Sequence, residues 1–306
     1  MMVSTHEKIS SFAKKRIPYI VHLEDNDLEI CMNALGISKD MLAQASIDRN
    51  KWINIPESYC DPFAADLFLS NSKGVTALST SLLKAIPDWL PTLHFWPAFE
   101  PSSISIDSEE SISQWRKELN ILDEDFIISY TGNVHPSNIA EVRSLYIAVA
   151  LVNRMGMPLK LIRTGCDHAR LFADEEWTWI NKHVLSLGTI DLRQVFNLQR
   201  MSTMLVQPGL VDSWNECRVP SKIPEYLASG RPVVVPNANI GHCLTHEDNA
   251  ICLEQANAEQ IALTLLKWLP KKTELNQIGS RGACFAAEVL NWDITVLRLL
   301  CFIESI

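Results

Sequence analysis

The stretch VPSKIPEYLASGRPVVVP (residues 219–236) decides how the rest of this sequence is read. It runs from a short helix through a tight Gly230-Arg231-Pro232 turn into an apolar strand, Val233-Val234-Val235. Ser221 is placed to cap the helix, Pro224 is tolerated in a first turn, and Gly230 suits the left-handed position that ends a helix. Glu225 lies four residues after Ser221, so it is not the acid of a reciprocal capping box, which falls at the third position. Spacing alone leaves two readings of Glu225. Either the helix dipole favours its charge, or the helix holds it at a sheet edge. There a carboxylate can accept both hydroxyl hydrogens of a ribose, with Lys222 and the helix start facing phosphates.

Outward from this stretch, apolar strands alternate with helices, the pattern of a parallel sheet with helices on its faces. Strands are expected over residues 126–130, 159–163, 184–187 and 204–207. Helices are expected over 138–155, 177–183, 192–199, 259–269, 274–290 and 293–304, the last opened by Asn291-Trp292-Asp293. The earlier part is less regular. It reads as a helix over 6–16, a strand over 17–23, and a helix over 28–35 capped by residues 24–27 and ended by Gly36. An irregular stretch follows over 48–62, then strands over 74–79 and 92–97 about a helix at 82–86. PSSISIDSEE (101–110) is polar and turn-rich, as an interdomain linker is. The expected organisation is therefore a first α/β domain over 1–100, a linker over 101–118 and a second domain over 119–306.

A length of 306 residues fits two domains at roughly 100–200 residues each. A net charge of −9 argues against a nucleic-acid binder and against adhesion to an anionic membrane. No apolar run approaches the roughly 20 residues that span a bilayer, and MMVSTHEKISSFAKKR has no apolar signal-peptide core. The 8 cysteines show no CxxC and no paired Cys/His spacing, so they read as reduced thiols in a cytoplasmic protein. His242 and His246 lie four apart, but no third ligand accompanies them and no metal site is expected. LHFWPAF (93–99) reads as core at a domain edge.

In an open parallel sheet, ligands bind beyond the C-terminal ends of the strands. Three turns converge there: Thr131-Gly132-Asn133, Thr164-Gly165-Cys166-Asp167 and Gln207-Pro208-Gly209. Singly each is what a strand–helix connection needs anyway, and only their convergence points to phosphate binding.

The order YTGN (130–133), LIRTG (161–165), VLSLGTIDLRQV (184–195), PSKIPEYLASGRPVV (220–234) and THEDNAICL (245–253) resembles the nucleotide-sugar domain of retaining glycosyltransferases of family 4, also called group 1. The likeness covers about residues 120–304; IPYIVHLED (17–25) and GVTALSTSLLKAIP (74–87) resemble the later portion of that family's acceptor domain. The resemblance implies a GT-B-like fold of two Rossmann-like domains, the first abbreviated. It implies transfer of a sugar from a nucleotide-diphosphate donor to an acceptor hydroxyl, on a glycan or small molecule, with retention, in polysaccharide or glycoconjugate synthesis. No further cofactor is implied.

The resemblance also assigns residues. Glu225 binds the donor ribose, Gly132 and Asn133 lie against the diphosphate, and Thr189 and Ile190 meet the base through the backbone. Ser221, Arg163 and Gly165 complete the donor set, and His22 faces the transferred sugar. Glu216 matches the first acid of the family's glutamate pair, one residue wider than the usual register, with Asp212 as a second candidate.

Two departures follow. The family's basic pair after the first glycine turn is absent from residues 133–138, leaving His135, Arg163 and Lys222 as possible donors to the leaving diphosphate. The family's first strand and glycine-rich loop are also absent, so a partner chain supplying the missing acceptor part is an open expectation. The competing reading is a glycosyltransferase-like accessory protein that binds nucleotide sugar without turnover. A sugar-nucleotide epimerase or hydrolase of the same architecture is a third.

Overall fold

A computed structural model describes residues 17–41, 68–100 and 107–306. The helix expected over 6–16 and the irregular stretch over 48–62 lie outside the described residues, as does the start of the expected linker. The chain divides into two compact units. The first takes in the described residues up to Trp96 with Glu216–Val219 and Val296–Ile306, and the second takes in Pro97–Asn215 and Pro220–Thr295.

In the first unit, β1 (Ile20–Leu23), β2 (Gly74–Ala77) and β3 (Thr92–His94) form a parallel sheet in that order. Between β1 and β2, α1 (Asp27–Leu35) begins where Asn26 accepts from the Glu29 N–H at 3.2 Å, and ends at Gly36 with φ 63. The Ser79 hydroxyl starts α2 (Thr80–Leu83) and donates to the Glu216 carbonyl at 2.6 Å. Val75, Ile86 and Leu90 form its apolar core.

The second unit opens with α3 (Glu109–Glu118), capped by Ser108 and packed on a later helix of the same unit, so this part of the expected linker is folded. A serine followed by Glu109 and Glu110 is a helix-start signal that the polar composition hid. A six-stranded parallel sheet follows: β4 (Phe126–Thr131), β5 (Leu159–Thr164), β6 (Val184–Ser186), β7 (Met204–Val206), β8 (Val233–Pro236) and β9 (Ile251–Leu253). Their spatial order is β6-β5-β4-β7-β8-β9, so the winding reverses between β4 and β7, where such sheets open a crevice. β7 and β8 are buried on both faces and therefore read as unbroken apolar runs rather than alternating ones.

Connecting β4 to β5 and β5 to β6 are α4 (Ile139–Arg154) and α5 (Asp174–Ile180). Between β6 and β8 come α6 (Leu192–Met201), α7 (Ser213–Glu216) and α8 (Lys222–Ala228). The unit closes with α9 (Ala258–Trp268), α10 (Lys272–Val289) and the start of α11 (Trp292–Ser305). α4 and α9 cover one face of the sheet with Val142, Leu145, Ile261 and Leu265. α10 adds Leu275 and Ile278 to the same core and runs past α8, where a Cβ at Gly279 would stand 2.2 Å from the Gly230 carbonyl oxygen.

The α/β reading with two parallel sheets matches the structure. β9 and α7 went unread in the sequence, and helix ends moved by a few residues. Sequence reading put all of 119–306 together, whereas Val296–Ile306 groups with the first unit. The physical reason is packing: the Phe302 and Ile306 side chains press against Gly74 at the head of β2, so close that a Cβ there would lie 2.8 Å from the Phe302 ring.

Candidate functional site

At the C-terminal ends of β4, β5 and β6 the turns continue the sheet's hydrogen bonding among themselves. The Gly132 N–H donates to the Thr164 carbonyl at 3.2 Å, Val134 N–H to Cys166 at 2.9 Å, and Gly165 N–H to Gly188 at 2.7 Å. The Asn133 side chain accepts from the Cys166 N–H at 2.8 Å. Gly165 adopts φ +98, and a Cβ there would fall 2.7 Å from the Gly132 carbonyl, so this position requires glycine twice over. Buried Asn138 gathers the following loop, accepting from His135 N–H at 2.8 Å and donating to the Asn133 carbonyl at 3.0 Å.

The opening stretch is joined to these turns by two contacts. The Tyr226 hydroxyl accepts from the Thr131 N–H at 2.7 Å and shares a hydrogen with Thr131 Oγ1 at 2.9 Å. It is fully buried, and burial raises its pKa far above that of an exposed tyrosine. The Lys222 ammonium lies 4.9 Å from the Tyr130 ring centroid, and a Cβ at Gly132 would come within 2.9 Å of its Nζ. The glycine therefore leaves room for a cation directly over the first turn.

Glu225 is half-buried one turn further on. Burial raises its pKa above the usual carboxylate range, opposed by a hydrogen bond from Gln199 and the Lys222 charge. Gln199, itself 1% exposed, donates through Nε2 to Glu225 Oε1. Thr189 and Ile190 lie on the β6–α6 connection, with Thr189 Oγ1 3.3 Å from Cys166 Sγ. Asp191 then caps α6 reciprocally with Gln194.

Two expected residues act otherwise. Ser221 already has helical dihedrals, φ −58 and ψ −18, and its side chain makes no capping bond; the turn begins at Pro220, whose carbonyl accepts from Ile223 N–H at 3.1 Å. Arg163 has a side chain only 2% exposed, bonded to Tyr146 Oη, to the Gly165 carbonyl at 2.9 Å and to Asp167. Buried this way, it holds the β5 turn in shape rather than facing a ligand.

Gly132, Asn133, Gly165, Thr189, Ile190, Lys222 and Glu225 all belong to the second unit. His22 and Glu216 belong to the first. His22 Nδ1 is 2.8 Å from Thr76 Oγ1 and its ring stacks on Phe95 at 5.3 Å. Burial lowers its pKa, against the pull of Glu24 and Thr76. Asp212 accepts from the Asn215 N–H at 2.9 Å, beside the buried pair of Asn215 and Glu141. His242 bonds Asn237, and His246 accepts from the Cys252 N–H. Among the described residues no three His, Cys, Asp or Glu side chains are grouped to hold a metal ion, and no helix is long and apolar enough to cross a membrane. Sequence reading missed Gln199 and Tyr226, whose partners lie far away along the chain.

Residues 125–270 match the family model for group 1 glycosyl transferases. The matched segment starts just before β4 and ends after α9. No curated protein sequence matches the chain. Solved structures do. Anabaena HepE in complex with UDP-glucose superimposes with a TM-score of 0.72 at 15% identity, over 99% of this chain and 76% of that one. Sucrose-phosphate synthase from Thermosynechococcus elongatus gives 0.65 at 12%, over 98% and 76%. A glycosyltransferase from Rickettsia africae gives 0.63 at 13%, over 98% and 80%. At these identities the likeness establishes the fold, which is GT-B.

Proposed function

We propose that this protein is a glycosyltransferase that takes a sugar from a nucleotide-diphosphate donor and passes it to an acceptor hydroxyl. The observation that carries this reading is the convergence of the Lys222 ammonium and the Gly132 turn, tied together by the Tyr226–Thr131 bonds, inside the segment that matches group 1 glycosyl transferases. In such a transfer the bond from the sugar C1 to the diphosphate oxygen breaks, and the diphosphate leaves with the electron pair. The acceptor oxygen then bonds to C1 and loses its proton. The largest demand is stabilisation of charge on the leaving diphosphate, and a fixed cation beside a glycine turn supplies it.

In this reading Lys222 stands in for the basic pair that residues 133–138 lack, and Glu225 anchors the ribose. Because Gln199 occupies Oε1, the ribose hydroxyls are taken chiefly by Oε2. Thr189 and Ile190 meet the base. Uridine is the first base to test, since HepE binds UDP-glucose. His22 and Glu216 keep the sugar-facing roles that the family likeness implies, and with them retention of configuration and a place in glycoconjugate or polysaccharide synthesis.

Calorimetric titration with UDP, GDP, ADP and their common sugar conjugates, on wild type and Glu225→Ala, tests the donor site. Binding of one nucleotide, lost in the variant, supports it; binding of none of them overturns the reading. Release of free sugar without any acceptor would instead identify a hydrolase.

A further inference from the structure

Beside α5 the second unit carries an open cavity of about 560 Å³, lined by Asp167, His168, Arg170, Phe172, Asp174 and Trp177 and by none of the residues proposed for the donor. Its floor is aromatic. Trp177, 37% exposed, stacks on Phe172 with ring centroids 6.0 Å apart and lies 6.1 Å from Tyr146, so the shelf is braced from below. Its rim is charged but balanced. Arg170 bonds Asp174 at 2.7 Å and the Phe172 carbonyl at 2.8 Å, while Asp167 is held by Arg163.

This pairing decides the ligand class. A phosphate site would need cationic charge that no carboxylate offsets, and a cation site would need unbalanced carboxylates; neither is present on this rim. What remains is an aromatic face bordered by the planar Arg170 guanidinium as donor and the Asp167 and Asp174 carboxylates as acceptors. That suits the C–H face and hydroxyl rim of an uncharged sugar ring, and the volume lies within the range of small-ligand sites.

We infer that this cavity binds one or two uncharged pyranose rings of an oligosaccharide. The loop carrying Asp167 and His168 leaves β5 directly after the Gly165 turn, and His168 stacks on His135 at 4.8 Å, so the cavity adjoins the donor-side turns within one unit. Assigning the bound oligosaccharide as the acceptor rests on the sugar-transfer reading; the binding itself does not.

The test is calorimetry with maltotriose, cellotriose and chitotriose on wild type, Trp177→Ala and Arg170→Ala, with UDP titrated in parallel. One trisaccharide should bind the wild type. Trp177→Ala should weaken it by about tenfold, near 1.4 kcal/mol, and Arg170→Ala several-fold, with UDP affinity unchanged. Should Trp177→Ala not fold, Arg170→Ala carries the comparison at an exposed position. Failure of all three trisaccharides to bind a protein that binds UDP overturns the inference, as does equal binding by the variants. Trp177-dependent trisaccharide binding without UDP binding keeps this site and removes the transfer reading.

Discussion

Glu225 is held where its charge is costly, and that gives it a pH signature. Its folded pKa lies above its unfolded value because burial outweighs Gln199 and Lys222. Between those two values folding takes up a proton, so stability falls as pH rises through the window and levels off above it. Glu225→Gln keeps the bond from Gln199 and removes the charge. It should raise the melting temperature of the unliganded protein near pH 7, lose that gain near pH 4, and abolish nucleotide binding, all checked by calorimetry. Tyr226→Phe makes the opposite case. It leaves the partly buried Thr131 N–H without the Tyr226 hydroxyl, costing about 1 kcal/mol in urea unfolding and weakening nucleotide affinity. His22→Ala, in the other unit, should lower turnover while nucleotide affinity stays level.

Elements show where sequence reading succeeds. The alternation of apolar runs and helices exposed β4 to β8, most plainly β7 and β8, because a strand buried on both faces leaves an apolar string whatever its neighbours are. The turns after β4 and β5 were legible for a related reason: Gly165 has left-handed backbone and no space for a Cβ, so the glycine is forced. Lys222 could be picked out by its place at the start of a short helix. Gln199 could not, because its partner is 26 residues away and no local spacing records the pair. Arg163 misled for a similar reason. A cation next to the glycine turn at a strand's C-terminal end looks like a ligand group, yet Asp167, four residues on, marks it as an internal pair. At this scale, Gly165→Ala should cost about 1–3 kcal/mol and weaken nucleotide binding through the displaced Gly132 turn. Gly279→Ala, pressed against the Gly230 carbonyl, should cost a similar amount in urea unfolding, and nucleotide affinity of the folded fraction should stay the same.

The whole chain is threaded twice through its first unit after leaving it, by Glu216–Val219 and by Val296–Ile306. The family likeness put those last residues with the nucleotide-sugar domain, because only two residues separate α11 from α10 and nothing in its apolar pattern names the surface it packs on. Removal of residues 296–306 should therefore leave the second unit able to bind nucleotide by calorimetry. Residues around β2 should become susceptible to limited proteolysis. The same threading sets an order of events at the ribosome. The β2 strand emerges early, but Phe302, which covers Gly74, follows it only after the whole second unit has been translated. The second unit can thus fold before the first is complete, whereas the first must wait until α11 has emerged, its apolar strands in the care of whatever shields nascent chains.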